Sequence, residues 1–332
     1  MREDILQALV GLDDVVVRKC VDMSANSYLK VGGICELVIY PTGISGLKGV
    51  LKLLDIHDLG FEIICFTTNV IFSESIKSIV INMSFMNNIK VEDKEISAQA
   101  GVPLFDLLRK IYSLQCLGYE GLEGIPGSVG AAVIMNAGAY GYSISDHIVR
   151  VYCIDREGNS LTFEKQDFAV AHRSSFFEQQ GLIITEVVFD VSKKASDFKE
   201  DVYKKVEFFH TIRHRYQEWV LPNTGSIFAA RECPYKILSD IDFRFKVLYK
   251  INTLLFRNIL VRTVWASPNR RFLNFFAAII FDFEKFKNVY SIKHLNTFSI
   301  TSETSSQDIE GYISHMRNVY SNRLKLENKV IK

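Results

Sequence analysis

Residues 121–146, G-L-E-G-I-P-G-S-V-G-A-A-V-I-M-N-A-G-A-Y-G-Y-S-I-S-D, constrain the fold of this chain more than any other stretch. Six glycines (Gly121, Gly124, Gly127, Gly130, Gly138 and Gly141) surround Pro126 and a short apolar run. Glycine has no Cβ, so it accepts positive φ and lets a second backbone or a ligand come into contact. Glycines spaced by three around a proline make a tight turn whose backbone N–H groups can converge on an anion. The pattern suits a pyrophosphate cradle, although it is not the G-x-G-x-x-G of a dinucleotide-binding βαβ unit. Asn136 and Tyr140 add an amide and a hydroxyl beside it. A crowded structural turn between packed elements would need the same glycines, so glycine content alone does not choose between the two readings.

The rest of the composition narrows the class. A chain of 332 residues exceeds one typical core, so two or three domains are expected. Hydrophobic residues at 48% and charged residues at 23% are ordinary for a soluble globular protein. A formal net charge of +1 argues against a nucleic-acid binder, which carries a basic excess. Six cysteines (Cys20, Cys35, Cys65, Cys116, Cys153 and Cys233) form no C-x-x-C pair. They read as reduced, mostly buried thiols of a cytosolic protein, with no disulfide frame and no metal site. The charged N-terminus M-R-E-D-I-L-Q-A-L lacks an apolar h-region, so no signal peptide is indicated. The apolar run from Phe275 to Phe283 is too short to span a bilayer. A cytoplasmic protein with no integral membrane span is expected.

Hydrophobic periodicity sets the order of elements. Ile5, Leu6, Leu9 and Val10 predict a helix, and Val15–Val17 a strand. Val38–Tyr40 predict a strand stopped at Pro41, residues 42–59 an amphipathic helix, and Ile63–Phe66 and Ser78–Met83 two further strands. Next come a strand at Ile96–Ala100, a helix at Leu104–Ser113, strands near Ile148–Asp155 and Leu161–Glu164 joined by a hairpin turn, and a strand at Leu182–Asp190. Residues 196–216 read as one polar helix and Asp308–Arg323 as an amphipathic one. The Phe-, Ile- and Arg-rich stretch around 236–285 has little turn punctuation and stays unassigned.

Residues 121–141 resemble the central motif of the UDP-N-acetylenolpyruvoylglucosamine reductases, flavoenzymes of bacterial cell-wall precursor synthesis. In that family a G-x-E-G-hydrophobic-x-G-[ST]-hydrophobic-G…N-A-G-A-Y-G segment lines the FAD site, and Ala131 stands here where a second glycine is common. Further islands follow in the family's order. Asn26-Ser27-Tyr28-Leu29-Lys30-Val31-Gly32-Gly33 resembles the entry to the first FAD half-domain. Phe168–Ser175 resembles a segment whose arginine sits in the active site, which matches Arg173, with His172 in place of tyrosine. An arginine suits that role because its planar fork grips a carboxylate with two hydrogen bonds. Arg213 to Phe228 resembles R-x-x-x-Q-P-x-x-x-P-x-x-G-S-hydrophobic-F, in which the serine is the proton donor; Ser226 matches it. His294-Leu295-Asn296-Thr297-Phe298 and Leu326-Glu327-Asn328-Lys329-Val330 resemble the family's C-terminal motifs, and Glu327 matches a catalytic glutamate.

The resemblance implies an α+β fold: a two-part FAD-binding domain of the vanillyl-alcohol-oxidase-like (PCMH) type, at 1–83 and 84–205, plus a C-terminal substrate-binding α+β domain at 206–332 with an atypical insert around 236–285. It implies Arg173, Ser226 and Glu327 as catalytic residues. It implies cofactor contacts from Gly32, Gly33, Thr67, Thr68, Asn69, Gly124, Ile125, Pro126, Gly127, Ser128, Gly130, Asn136, Ala137, Gly138, Ala139, Tyr140 and Ile183. Substrate contacts are expected from Arg213, Gln217, Asn223, Gly225 and His294. FAD and NADPH are the expected cofactors, a small UDP-sugar the expected ligand, and the insert a candidate surface for a partner protein.

The family's first FAD loop reads G-x-G-S-N, whereas this chain has Cys65-Phe66-Thr67-Thr68-Asn69. Phe66 and β-branched Thr67 disfavour positive φ, so a weakened or rearranged FAD loop is expected. Ala229 stands where the family has Lys or Gln. These departures keep two other readings open: a paralogous reductase acting on another nucleotide sugar in surface polysaccharide synthesis, and a flavin-free sugar-nucleotide-binding scaffold.

Overall fold

Apolar periodicity in the first third of the chain becomes one sheet with helices against it. A computed structural model describes the chain except residues 1–2, 169, 172–173, 199, 217, 219, 230–231 and 256–269. Strands Val15–Asp22, Ile34–Pro41, Ile79–Asn82 and Phe61–Ile64 lie in that order. The last two pairings are parallel. The helix Ile44–Ile56 sits between two of these strands in sequence and buries Leu47, Val50, Leu51 and Leu54, one face at helical spacing. The helix Glu3–Val10 buries Ile5, Leu6 and Leu9 in the same way.

The second sheet is antiparallel throughout. Its order is Ser160–Glu164, Ile148–Ile154, Ile183–Asp190, Glu95–Gln99 and Ile89–Glu92. The turn after Ile154 is set by Asp155, whose carboxylate accepts the Asn159 backbone N–H at 2.7 Å. The helix Leu104–Ser113 has the expected bounds and buries Leu104, Leu107, Leu108 and Ile111.

Contacts divide the chain into two units. The first comprises Met1–Val21, Cys35–Thr67 and Lys77–Arg215, and holds both sheets with one continuous core. The second comprises Asp22–Ile34, Thr68–Ile76 and Tyr216–Lys332. Two short segments from early in the sequence therefore group with its C-terminal third. The second unit is mainly helical, with helices Pro234–Ile241, Phe243–Leu255, Arg270–Ile280 and Ser306–Val319. Its core is aromatic, with Phe228, Phe245, Phe283, Phe298, Tyr312 and Tyr320 fully buried. Among the described residues, three two-stranded ladders complete it: Phe228–Ala229 with Lys325–Leu326, Tyr290–Ser291 with His294–Phe298, and the parallel pair Lys329–Ile331 with Val70–Phe72.

The helix expected at 42–59 is shorter, Ile44–Ile56, and two helix starts differ from the expectation because of polar capping. The polar helix begins at Val202 rather than 196, after a separate turn Ala195–Phe198. Asp201 sets that start by accepting the backbone N–H groups of Tyr203 and Lys204. The C-terminal helix begins at Ser306, where Ser305 and Asp308 form a capping box. It ends at Val319, and Ser321 and Asn322 follow with φ of 51° and 56°.

Candidate functional site

In the first unit the glycine-rich turn is stitched to the segment before helix Leu104–Ser113. The Leu104 N–H donates to the Gly127 carbonyl at 2.9 Å, the Val129 N–H to Val102 at 2.9 Å, and the Gly130 N–H to Ala100 at 2.9 Å. A Cβ on Gly130 would sit 2.8 Å from the Ala100 Cβ, so this crossing requires glycine. Gly124 and Gly127 take φ of 73° and 119°, and Gly124 and Pro126 face solvent at the tip beside half-buried Ile125. Ser128 caps the short helix Val129–Ile134 through the Ala131 N–H.

Beyond that helix, the Ala137 N–H donates to the Ala132 carbonyl at 2.7 Å, and Gly138–Ala139 pairs with Tyr142–Ser143. The hairpin turns at Tyr140 and Gly141, with φ of 55° and 85°. Asn136 accepts a hydrogen bond from the Ser143 hydroxyl at 2.6 Å. Ile183 is buried in the second sheet, opposite Ile154.

Cys65 brings a third segment to this turn. Its thiol lies 3.9 Å from the Gly101 carbonyl and hydrogen-bonds the Ser128 side chain, and burial pushes its pKa up to about 11. Two residues on, Thr67 adopts φ of 55° while only 5% exposed. The residue expected to resist a glycine conformation therefore adopts it, storing about 1–2 kcal/mol of backbone strain. Segments 65–67, 100–104 and 124–130 thus converge on glycine turns, backbone amides and hydroxyls. The positive-φ glycines at Gly124 and Gly127, with the solvent-facing tip at Gly124 and Pro126, leave the close backbone approach that the pyrophosphate of FAD needs.

Arg213 stands behind the same turn. It is 7% exposed, and its Nε donates to the Glu123 carbonyl at 2.7 Å, while an Nη donates to Gly121 at 3.4 Å. Its guanidinium lies 5.4 Å from the centre of the Tyr140 ring. Burial lowers its pKa, and Tyr140 and Glu123 oppose that shift. A Cβ on Gly124 would sit 2.8 Å from its Cδ. Expected as a substrate contact, Arg213 here braces the glycine-rich turn through backbone carbonyls.

In the second unit, Ser226 and Glu327 lie on neighbouring stretches of backbone. The Glu327 N–H donates to the Ile227 carbonyl at 2.9 Å, and Phe228 pairs with Leu326. Ser226 is half-buried and bridges to Thr297. Glu327 is also half-buried, with Oε1 shielded from solvent. Asn69 ties the C-terminal strand from the other side. Its Nδ2 donates to the Glu327 carbonyl at 3.0 Å, its Oδ1 accepts from Asn328 at 2.7 Å, and its carbonyl accepts the Lys329 N–H at 3.0 Å. Thr68 beside it is half-buried.

Asn296 is a residue that motif matching did not single out as part of the site. It is 5% exposed and engages both backbone groups of Phe228. Its Oδ1 accepts the Phe228 N–H at 2.8 Å, and its Nδ2 donates to the Phe228 carbonyl at 2.7 Å. Its own carbonyl accepts the Ile227 N–H at 3.0 Å. His294 accepts the Asn296 N–H on Nδ1 at 3.0 Å. The only sequence signal was its place two residues after His294 in a loosely matching motif.

Other expected residues have local roles. Asn223 builds its own turn, donating to the Glu218 and Leu221 carbonyls and accepting the Gly225 N–H at 3.0 Å. Gly225 has φ of 72°, with open space where a Cβ would point. Gly32 and Gly33 make room for the protein's own chain. A Cβ on Gly33 would overlap the Glu74 carbonyl oxygen, and one on Gly32 would sit 2.7 Å from the Phe72 Cβ. Arg173 and Gln217 lie outside the described residues.

Comparison with known proteins agrees with this geometry. The family described as an FAD binding domain matches residues 35–164. A UDP-N-acetylenolpyruvoylglucosamine reductase from Staphylococcus haemolyticus is 30% identical over 247 residues, covering 73% of this chain and 80% of that protein. The same enzyme from Staphylococcus carnosus is 29% identical over 229 residues, covering 68% of this chain and 73% of that protein. A solved UDP-N-acetylenolpyruvylglucosamine reductase from Thermus caldophilus has a similar fold, with a TM-score of 0.67 at 17% identity, covering 96% of this chain and all of that one. With this level of identity sustained along most of its relatives' length, the chain belongs to the UDP-N-acetylenolpyruvoylglucosamine reductase family.

Proposed function

We propose that the chain is an FAD-dependent reductase that uses NADPH to convert the enolpyruvyl ether of UDP-N-acetylglucosamine to UDP-N-acetylmuramate, in peptidoglycan precursor synthesis. Family membership and the FAD-binding match support this reading. The observation that carries it is the backbone pairing that links the Ser226 and Glu327 segments, 101 positions apart in sequence.

Thr67, residues 124–130 and residues 136–140 would hold FAD, with Ile183 beside them. Bound FAD would supply hydride chemistry, so the protein's task is to manage charge and one proton. Hydride addition at C3 of the ether builds negative charge on C2 and the carboxylate. The Arg173 guanidinium would grip that carboxylate with two hydrogen bonds. The Glu327 carboxyl, on a shielded segment, would stabilise the enolate-like form through a hydrogen bond. The Ser226 hydroxyl would give its proton to C2. A serine can do this despite its high intrinsic pKa, because a carbanion-like carbon in contact with it is far more basic. These groups act on charge that exists only in the transition state, where their stabilisation counts most.

The purified protein is expected to show the absorption band of bound flavin and to oxidise NADPH only when the UDP-sugar ether is present. Ser226→Ala and Glu327→Gln should each lower kcat by roughly 10²–10⁴-fold with flavin content unchanged. Absence of flavin after reconstitution with FAD would favour the scaffold reading. Flavin without turnover of this ether would favour the second reading, a reductase for another nucleotide sugar. Ala229 favours that alternative, since it carries no polar group where the family has Lys or Gln.

A further inference from the structure

Charge and apolar surface are distributed unevenly in this chain. From Phe243 to Phe281 the sequence contains no Asp or Glu, while Lys or Arg stands at 244, 246, 250, 257, 262, 270 and 271. The remaining 32 of 39 Lys and Arg face all 38 Asp and Glu, so the rest of the chain is net acidic. The near-zero overall charge conceals a cationic segment on an acidic body.

That segment also exposes apolar side chains in an ordered way. On the helix Phe243–Leu255, Phe243 is 78% exposed, Val247 41%, Ile251 44% and Leu254 63%. At 100° per residue these four fall within an arc of about 80°, which Leu255, 54% exposed, extends to about 120°. Lys246 and Lys250, both exposed, lie along one edge of the arc. Arg244 lies near the other and is paired with Asp242 at 2.9 Å. Phe245 and Asn252 point the opposite way and are buried, so the helix is anchored by its other face. The neighbouring helix Arg270–Ile280 packs against it and adds exposed Phe275 and Ile279 one turn apart, with Arg271 also exposed.

We propose that this face is a docking surface for an anionic lipid bilayer, holding the protein at a membrane surface without spanning it. An apolar arc of this width beside Lys side chains is the arrangement by which a helix lies in the headgroup region, its aliphatic and aromatic groups below the headgroups and its ammonium groups among the phosphates. Long Lys stems let the charges reach outward while the stripe is buried. Among the described residues no helix is long and apolar enough to cross a membrane, in keeping with surface attachment. An antiparallel two-fold pairing of two copies through this arc would set their Lys246 and Lys250 edges side by side, which disfavours that dimer.

Full-length protein is tested by co-sedimentation with vesicles of phosphatidylglycerol mixed with phosphatidylcholine, against vesicles of phosphatidylcholine alone. Binding is expected to the anionic vesicles, falling steeply as salt rises. Lys246→Glu with Lys250→Glu should weaken it by about tenfold or more. Phe243→Ser with Leu254→Ser should weaken it comparably, and circular dichroism and flavin content should match the parent protein. Failure to bind anionic vesicles, or equal binding to both lipids, overturns the proposal. So does a solution dimer that dissociates in the Phe243→Ser, Leu254→Ser variant. None of these outcomes depends on the catalytic reading, which is scored by NADPH oxidation.

Discussion

At the scale of single residues, Thr67 is the most informative position. Its φ of 55° lies where a Cβ clashes with the following carbonyl. Thr67→Ala removes the side chain and leaves the strain, whereas Thr67→Gly removes both. Glycine ordinarily costs stability relative to alanine because the unfolded chain gains freedom. Here the order should reverse, with Thr67→Gly more stable than Thr67→Ala by about 1 kcal/mol in urea denaturation. Equal or inverted stabilities would show that the turn relaxes without strain.

The thiols give a second residue-level prediction. Burial raises the pKa of Cys35, that of Cys65 to about 11 and that of Cys153 to about 12. A folded pKa above the unfolded value of about 8.5 means that the folded state holds its proton more tightly. The stability this contributes is complete below that value and is lost as pH rises through the folded pKa values. The unfolding midpoint should therefore fall between about pH 9 and pH 12, and buried Tyr119 and Tyr112, whose pKa values burial also raises, steepen the fall. At pH 8 a thiol reagent should modify exposed Cys20 and Cys233 rapidly and buried Cys35, Cys116 and Cys153 only on unfolding. Rapid reaction of Cys153 in the folded protein would contradict this.

At the scale of elements, much of the fold was legible because single helices and strands carry their own periodicity. Helix Leu104–Ser113 and strand Ile183–Asp190 have strong local patterns, and the structure has them within a residue of the sequence reading. The ladders of the second unit were not legible. Two of them are two or three residues long and pair segments far apart in sequence, so no local pattern exists to read, and the third is a short hairpin, Tyr290–Ser291 with His294–Phe298, beside a stretch with little turn punctuation. The same reason hid Asn296, whose importance lies in what it grips at Phe228. Asn296→Ala should strand both buried backbone groups of Phe228, at about 2–4 kcal/mol. Asn296→Asp keeps the acceptor but turns a second oxygen toward the Phe228 carbonyl, so it should rescue little. Both variants should lower kcat through Ser226, two positions upstream, beyond any loss of flavin content. Full activity in Asn296→Ala would remove this residue from the positioning machinery.

At the scale of the molecule, the second unit is assembled from stretches near both ends of the chain. Val70–Phe72 has its parallel partner in Lys329–Ile331, and the Ser73 N–H donates to the Ile331 carbonyl at 3.0 Å. Ile331 is 1% exposed, so its side chain holds this ladder down. Parallel pairing between residues some 260 positions apart carries a loop-closure cost that only tertiary packing offsets. Ile331→Ala removes part of that packing, leaves Glu327 in place, and should destabilise the protein by about 2–5 kcal/mol. The loss should also be local. Hydrogen exchange should accelerate at Ile71, Phe72, Ser73 and Lys329, while the amides of strand Ile148–Ile154 in the other unit keep their protection. Uniform acceleration across both units would mean that they unfold as one cooperative body. Unchanged exchange at Ser73 would mean that the first segment does not depend on the last.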